Sequence, residues 1–133
     1  MDRRLNEMVS SGGDLRDWTS LKYIIVDEAQ FCTGLIEFID LVTERFKIDL
    51  ILVGLLTDAD RKPFVTCTGR PEFLEALCYA DHVEMLSALC SHCKDGTPAI
   101  FTLRKQAEGI PTTEDSQIFV GAADIYEAVC RQH

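Results

Sequence analysis

The chain has 133 residues, 47% of them hydrophobic, which is enough to bury one core and too few for two comfortable domains. Its formal net charge of −9 excludes a broad nucleic-acid footprint, because such a footprint needs clustered lysine and arginine. A nucleotide site remains possible, since one or two cations and backbone amides are enough to bind phosphates.

The N-terminus and the cysteines indicate a reducing compartment. No stretch reaches the roughly 18 consecutive apolar residues of a membrane span, so no membrane contact is predicted. Met1-Asp2-Arg3-Arg4 leads into a polar stretch without an apolar core, which argues against a signal peptide. Six cysteines could form a disulfide scaffold, but the short metal-type spacing of two of them argues against it. Cys32, Cys67 and Cys78 stand apart from that spacing and are expected to be small buried hydrophobes. We therefore expect a cytoplasmic protein.

The first part of the chain predicts a strand, a helix and a second strand. Residues 1–20 form a polar segment, for which we expect a frayed start and a loop. The apolar, β-branched run at 21–28 predicts a strand buried on both faces. A second such strand is predicted at 49–54, and the order favours a right-handed βαβ unit. Apolar residues at helical spacing predict an amphipathic helix between them: Leu35, Phe38, Ile39, Val42 and Phe46.

The second part of the chain predicts shorter elements. Pro71 is expected to open a helix that runs to about residue 79. A turn into a strand is predicted at 80–86, and further strands are predicted at 99–104 and 118–121. A polar loop is expected at 57–64, a long loop at 105–117 and a closing helix or turn at 122–131.

Two pairs of residues have the spacing of zinc ligands. Cys90 and Cys93 lie three apart on one tight turn, and Cys130 and His133 lie three apart on another. Two such halves can supply a tetrahedral set, and four protein ligands leave no position for catalysis, so we predict a structural zinc. His92 is an alternative ligand inside the first turn. The plainer interpretation is two unrelated cysteine pairs.

Acidic residues end the first predicted strand. Asp27 and Glu28 follow its apolar run, at an edge where open α/β sheets bind ligands. In phosphate-transfer proteins an aspartate there holds Mg²⁺. The next acid can act as a base on a hydroxyl. Strands often end in acids, so this feature alone is weak evidence.

A series of motifs carries a resemblance to a known family. In chain order they are Asp27-Glu28-Ala29-Gln30-Phe31, Gly54-Leu55-Leu56-Thr57-Asp58, Arg61-Lys62-Pro63-Phe64, the Cys90 and Cys93 turn, Val120-Gly121-Ala122-Ala123-Asp124-Ile125-Tyr126, and Val129-Cys130-Arg131-Gln132-His133. This array resembles the thymidine kinase family shared by animals, bacteria and large DNA viruses. The resemblance runs from about residue 20 to the C-terminus.

The resemblance implies ATP-dependent phosphorylation of the 5′-hydroxyl of thymidine or deoxyuridine, with Mg²⁺ and a structural zinc. Glu28 matches the general base, and Asp27 matches the acid associated with Mg²⁺. The loop between Thr102 and Gly121 matches the family's lasso, whose backbone grips the pyrimidine. The nucleoside-binding residues implied in this way are Phe31, Leu55, Phe64, Thr102, Val120, Gly121 and Tyr126. The family is usually homotetrameric, so a homo-oligomer is expected.

The resemblance also implies the fold class and its division. We expect an α/β fold, with a partial P-loop-type parallel sheet and helices, plus a small zinc-stapled β/lasso subdomain. Residues 1–20 would be a polar N-terminal segment, 21–89 a truncated nucleotide-handling core, and 90–133 the zinc-binding lasso subdomain.

The sequence departs from the family at the phosphate loop. The family has a glycine-rich loop ending in Gly-Lys-Ser or a close variant before the acidic strand, whereas here Gly12-Gly13 is followed by Asp14-Leu15. Such a loop supplies the amides and the lysine that stabilise the transferred phosphoryl group. We therefore expect a truncated member of the family with little or no kinase activity on its own.

Other interpretations remain open at this point. From side-chain chemistry alone, Phe31, Leu55 and Phe64 could be core residues, Tyr126 a surface residue, and Arg61 and Lys62 solvated loop charges or phosphate contacts. The chain could be a non-catalytic zinc-stapled module that binds a pyrimidine nucleoside or another protein. It could also be a fragment of another ATPase with an Asp-Glu-Ala-Gln motif, although helicase-like motors need basic contacts that this acidic chain fits poorly.

Overall fold

The computed structural model describes Trp18 and residues 20–105 and 125–133. The predicted N-terminal segment up to residue 17, the strand predicted at 118–121 and nearly all of the loop predicted at 105–117 lie outside the described residues. The chain divides into two compact units, the first formed by 1–56 and 63–83 and the second by 57–62 and 84–133. Every helix in the described ranges is too short or too polar to cross a bilayer.

The first unit contains a strand, a helix and a parallel strand. Strand β1 (Tyr23–Val26) pairs in parallel with β2 (Asp49–Leu52), in a register that runs from Tyr23 opposite Asp49 to Val26 opposite Leu52. Between them lies α1 (Leu35–Ile39), which continues as a π-helical segment (Asp40–Arg45). The predicted order of elements and the parallel pairing are confirmed, in a two-stranded sheet.

Helix α1 forms because its apolar residues lie on one face. Leu35, Phe38 and Val42 are at most 3% exposed, while Glu37, Asp40 and Glu44 point to solvent. Two clusters of buried side chains contain this face and pack against partly buried residues of β1 and β2. The helix therefore covers one face of the sheet, as its spacing predicted.

The prediction that β1 and β2 are buried on both faces is wrong for this chain. Exposure alternates along both strands, and Tyr23, Ile25 and Ile51 are 60%, 56% and 47% exposed. Ile24 and Val26 point to the opposite face and join the core against α1. Apolar composition predicted the strands correctly, but their burial depends on what packs on each face.

The helix predicted from Pro71 is confirmed with a small shift. Pro71 precedes α2 (Glu72–Glu75), which continues as a 3-10 turn (Ala76–Tyr79). The strand predicted within 80–86 does not form, and the next strand is β3 (Ala88–Leu89). A strand exists only where a neighbour completes its hydrogen-bond ladder, which apolar composition cannot reveal. The expected burial of Cys67 and Cys78 is also wrong, because both are exposed.

The described residues of the second unit form two short antiparallel pairs. Strand β3 pairs with β4 (Pro98–Ala99), and β5 (Phe101–Arg104) pairs with β6 (Tyr126–Val129). The strand predicted at 99–104 is therefore confirmed, apart from a break at Ile100. The closing helix or turn predicted at 122–131 is wrong at 126–129, where the chain forms β6; its first three residues lie outside the described ranges.

Gly54 lies where a side chain would disrupt the first unit. A Cβ atom there would overlap the Gln30 Oε1 atom and approach the Phe73 ring to 3.1 Å. Gln30 cannot move aside freely, because it is 2% exposed and its Oε1 accepts the Leu55 N–H. We expect Gly54→Ala to lower the free energy of unfolding by about 2 kcal/mol.

Urea unfolding followed by Trp18 fluorescence measures this effect. Trp18 is the only tryptophan of the chain, and its ring packs against Phe38 and Phe46 of the first unit. Val53→Ala is the matched control, since Val53 precedes the glycine and is 47% exposed. Equal destabilisation by the two substitutions would contradict the steric argument.

Candidate metal centre and strand-end acidic site

Four side chains of the second unit converge on one point. The sulfur atoms of Cys90, Cys93 and Cys130 and a ring nitrogen of His133 all lie within 4.8 Å of one another. His133 Nδ1 is 3.9, 3.6 and 3.3 Å from the sulfurs of Cys90, Cys93 and Cys130, and the sulfurs of Cys93 and Cys130 are 3.8 Å apart. The structure thus brings together the four residues whose spacing predicted a metal site.

These distances fit a tetrahedral ion. A tetrahedron with Zn–S bonds of about 2.3 Å has sulfur–sulfur edges of about 3.8 Å. Thiolate and imidazole are also the ligands that zinc prefers in structural sites. The cluster could therefore hold a metal ion, with His133 binding through Nδ1 and with no open position for substrate.

Short backbone contacts hold the two halves of the centre together. The Ser91 N–H donates to the Ala128 carbonyl, and the Cys130 N–H donates to the Cys90 sulfur at 3.4 Å. The Cys90 N–H donates to the Thr97 carbonyl across the β3–β4 hairpin. These bonds hold the turn with Cys90 and Cys93, next to the hairpin, against the end of β6, after which Cys130 and His133 follow.

The electrostatics of the three thiols favour a bound cation. Burial would raise the pKa of Cys90, but N–H donors from Cys93, Cys130 and His92 hold it below its usual value. The Gln132 N–H, first among several donors, likewise lowers the pKa of Cys130. Burial and the neighbouring sulfurs raise the pKa of Cys93 to about 11. The neighbouring sulfurs therefore oppose charging all three thiols together, a cost that a bound cation would offset.

His92, the alternative ligand, lies outside the cluster. Its Nε2 atom is 2.9 Å from a carboxylate oxygen of Glu127. Its ring stacks on His133, with centroids 5.2 Å apart and an interplanar angle of 22°. Of the two candidates, the structure therefore groups His133 with the three cysteines.

The acidic residues lie at the C-terminal end of β1. Asp27 and Glu28 are both exposed, and Asp27 Oδ1 accepts the Glu28 N–H at 2.9 Å. Glu28 has a left-handed backbone, with φ of 53°, and a 3-10 turn (Ala29–Phe31) follows it. This conformation is uncommon outside glycine, and such strain often marks functional sites.

Buried Gln30 holds the Glu28 side chain. Its Nε2 donates to a Glu28 carboxylate oxygen at 2.6 Å, and its Oε1 accepts the Leu55 N–H at 3.1 Å. Gln30 therefore links the turn after β1 to the turn after β2. The sequence did not predict this role of Gln30. The glycine at position 54 was a possible signal, because only a residue without a Cβ atom lets the Gln30 side chain come this close.

The structure places two of the predicted nucleoside-pocket aromatics side by side. The rings of Phe31 and Phe64 meet edge to face, with centroids 5.5 Å apart. Phe64 is 8% exposed, so it also belongs to the core, whereas Leu55 is 52% exposed. The exposed Leu55 side chain is apolar surface of the kind that a flat, neutral ligand can cover.

The remaining predicted nucleoside contacts belong to the second unit. Thr102 lies on β5 and Tyr126 on β6, where Tyr126 is opposite Arg104. Tyr126 is thus on a strand, and the prediction that it lies on a closing helix is wrong. Val120 and Gly121 lie outside the described residues.

Sequence reasoning also missed the environment of Phe101. The guanidinium groups of Arg61 and Arg131 lie 5.2 and 5.1 Å from the centre of its ring. These cation–π contacts tie residues 57–62 to the metal-bearing turn within the second unit. The sequence by itself indicates for Arg61 only a loop charge or a phosphate contact.

Comparison with known proteins gives consistent matches. A family model described as thymidine kinase matches residues 6–133. A thymidine kinase from Coxiella burnetii is 34% identical over 115 residues, covering 86% of this chain and 54% of the relative. One from Oryza sativa subsp. japonica is 36% identical over 108 residues, with coverages of 81% and 35%. One from Pasteurella multocida is 35% identical over 114 residues, with coverages of 85% and 55%.

Two facts follow from these matches. The chain spans between about a third and about half of the length of these relatives. The alternatives of a helicase-like ATPase and of a non-catalytic module are not favoured.

Proposed function

This chain belongs to the thymidine kinase family, and on that premise we propose that it supplies the nucleoside-binding part of an enzyme that phosphorylates thymidine or deoxyuridine with ATP. The observation that carries the proposal is the placement of Glu28. Its carboxylate is solvent-accessible at the end of a parallel strand and is held there by a buried glutamine. A base needs this combination of access and fixed orientation.

In the proposed reaction, Glu28 accepts the proton of the nucleoside 5′-hydroxyl. The hydroxyl oxygen forms a bond to the γ-phosphorus of ATP while the bond from that phosphorus to the bridging β–γ oxygen breaks, releasing ADP. Asp27 offers carboxylate oxygen, the ligand type that Mg²⁺ prefers, and Mg²⁺ bound there would neutralise phosphate charge. Phe31, Leu55 and Phe64 would form the apolar wall for the base. The family resemblance also implies nucleoside contacts by Thr102, Val120, Gly121 and Tyr126.

We also propose that the cysteine and histidine cluster holds a structural zinc ion. The distances among its ligand atoms match those of a zinc tetrahedron.

We further propose, from the family, that β1 and β2 belong to a larger P-loop-type parallel sheet and that the protein is a homo-oligomer. Light scattering of the purified chain measures its oligomeric state, and a monomer at all concentrations would contradict that part.

Nucleoside binding by the chain tests the proposal directly. We expect thymidine to raise the melting temperature in a concentration-dependent way, because a ligand that binds only the folded state stabilises it by mass action. Deoxycytidine is the matched control nucleoside and should have a much smaller effect. Equal shifts with both nucleosides, or none with thymidine at millimolar concentration, would refute a pyrimidine site of this specificity.

The same sample tests transfer. The 133-residue chain contains no Gly-Lys-Ser or Gly-Lys-Thr sequence, so we propose that it alone transfers little phosphate from labelled ATP to thymidine. ATP should accordingly stabilise the chain less than thymidine does. Turnover near the 1–100 per second that is typical of kinases would overturn this expectation.

A further inference from the structure

His133, the exposed residue of the metal cluster, stacks against His92, which is not a member of that cluster. Cys90 and Cys130 are buried and Cys93 is partly buried, but His133 is exposed. Its backbone N–H donates to the Cys130 carbonyl at 3.2 Å, which fixes the backbone but does not by itself set the orientation of the ring. The His92 ring lies flat against the His133 ring, with centroids 5.2 Å apart.

The His92 ring is itself held from the opposite strand. A Glu127 carboxylate oxygen lies 2.9 Å from His92 Nε2, and the other lies 2.8 Å from Lys105 Nζ. Lys105 and, secondarily, His92 lower the pKa of Glu127, so the carboxylate stays charged and keeps both contacts. Glu127 stands on β6, the strand that leads directly to Cys130. Glu127, which holds the ring that stacks on His133, therefore lies on the strand that leads to the buried ligand Cys130.

We infer that His92 and Glu127 form a brace that positions His133 Nδ1 toward the three sulfur atoms and thereby slows loss of the metal. The inference rests on the zinc centre proposed above. His92 is not a ligand in this arrangement, because the four ligand atoms that lie within 4.8 Å of one another belong to Cys90, Cys93, Cys130 and His133. Residues that orient a metal-binding imidazole commonly change metal affinity by 10–100-fold when they are mutated.

Zinc release from the full chain to an excess of a chromogenic chelator tests the brace. We expect His92→Ala to raise the release rate about tenfold, the lower end of that range, because stacking orients less strictly than a direct hydrogen bond. His92→Phe keeps a flat ring against His133 and should recover part of the loss. Glu127→Gln keeps a polar partner for His92 and should have an intermediate effect. Ser91→Ala, one position away in the same turn, is the control and should match the wild type.

Cobalt substitution distinguishes a brace from a ligand. The visible spectrum of the Co²⁺-loaded His92→Ala chain should retain the bands of a three-thiolate, one-imidazole site, and His133→Ala should change them. The opposite pattern would identify His92 as the ligand and overturn the inference. Release from His92→Ala at the Ser91→Ala rate would overturn the brace while leaving the zinc centre intact. A wild-type chain that binds no zinc would overturn both.

Discussion

The Cys130→Ser variant is expected to lose stoichiometric zinc and the folded structure of β3 to β6, while the first unit still folds. Among the described residues of the second unit, the strands are only two to four residues long, and two of the four buried core residues, Cys90 and Cys130, are also metal ligands. A core of this size cannot offset the entropy of ordering the chain without a cross-link. Metal binding would supply that free energy, so folding and zinc content should fall together.

Two measurements on one sample separate these effects. Elemental analysis should give about one zinc per wild-type chain and near zero for Cys130→Ser. Amide exchange should show loss of protection at β5 and β6 and retained protection at β1 and α1. Chelation of the wild-type chain should reproduce this pattern.

The control for this prediction is an exposed cysteine of the first unit. Cys78→Ser should keep the zinc and the protection pattern, because Cys78 is exposed and lies outside the cluster. Full protection of β5 and β6 in zinc-free Cys130→Ser would show that the second unit folds without a metal. The proposed structural role of the ion would then be wrong.

The Glu72→Ala variant is expected to destabilise the first unit by about 3 kcal/mol. Glu72 is 2% exposed, and its Oε2 atom accepts the Leu35 N–H at 2.7 Å. Helix α1 begins after Gly34, which has no side chain to cap it, so a carboxylate from α2 takes that place. Removing the carboxylate leaves a buried N–H without its acceptor and opens a cavity.

Two further variants test whether the cap is responsible. Glu72→Gln keeps an acceptor oxygen without the charge, so we expect about a third of the loss. Glu75 lies on the same helix and pairs with the exposed Arg70. Because exposed ion pairs stabilise little, Glu75→Ala should change the unfolding midpoint little. Trp18 fluorescence in urea reports all three. Equal midpoints for Glu72→Ala and Glu75→Ala would refute the capping role.

Local patterns in the sequence determined much of this protein. The helical spacing of apolar residues predicted the buried face of α1, and two apolar runs predicted β1 and β2 with their parallel order. The paired spacing of cysteines and histidine predicted which four residues would meet. These features are predictable because each depends on the periodicity of a helix, strand or tight turn, which a few neighbouring residues specify.

Contacts between distant segments were decided only by the tertiary structure. Glu72 caps a helix that begins 37 positions earlier in the chain, and Glu127 contacts His92, which lies 35 positions before it. The segment 80–86 formed no strand and 126–129 did, because a strand depends on its partner as much as on its own residues. Sequence periodicity specifies which face of an element is apolar. What covers that face, and which polar groups meet across it, follows from packing between segments far apart in the chain.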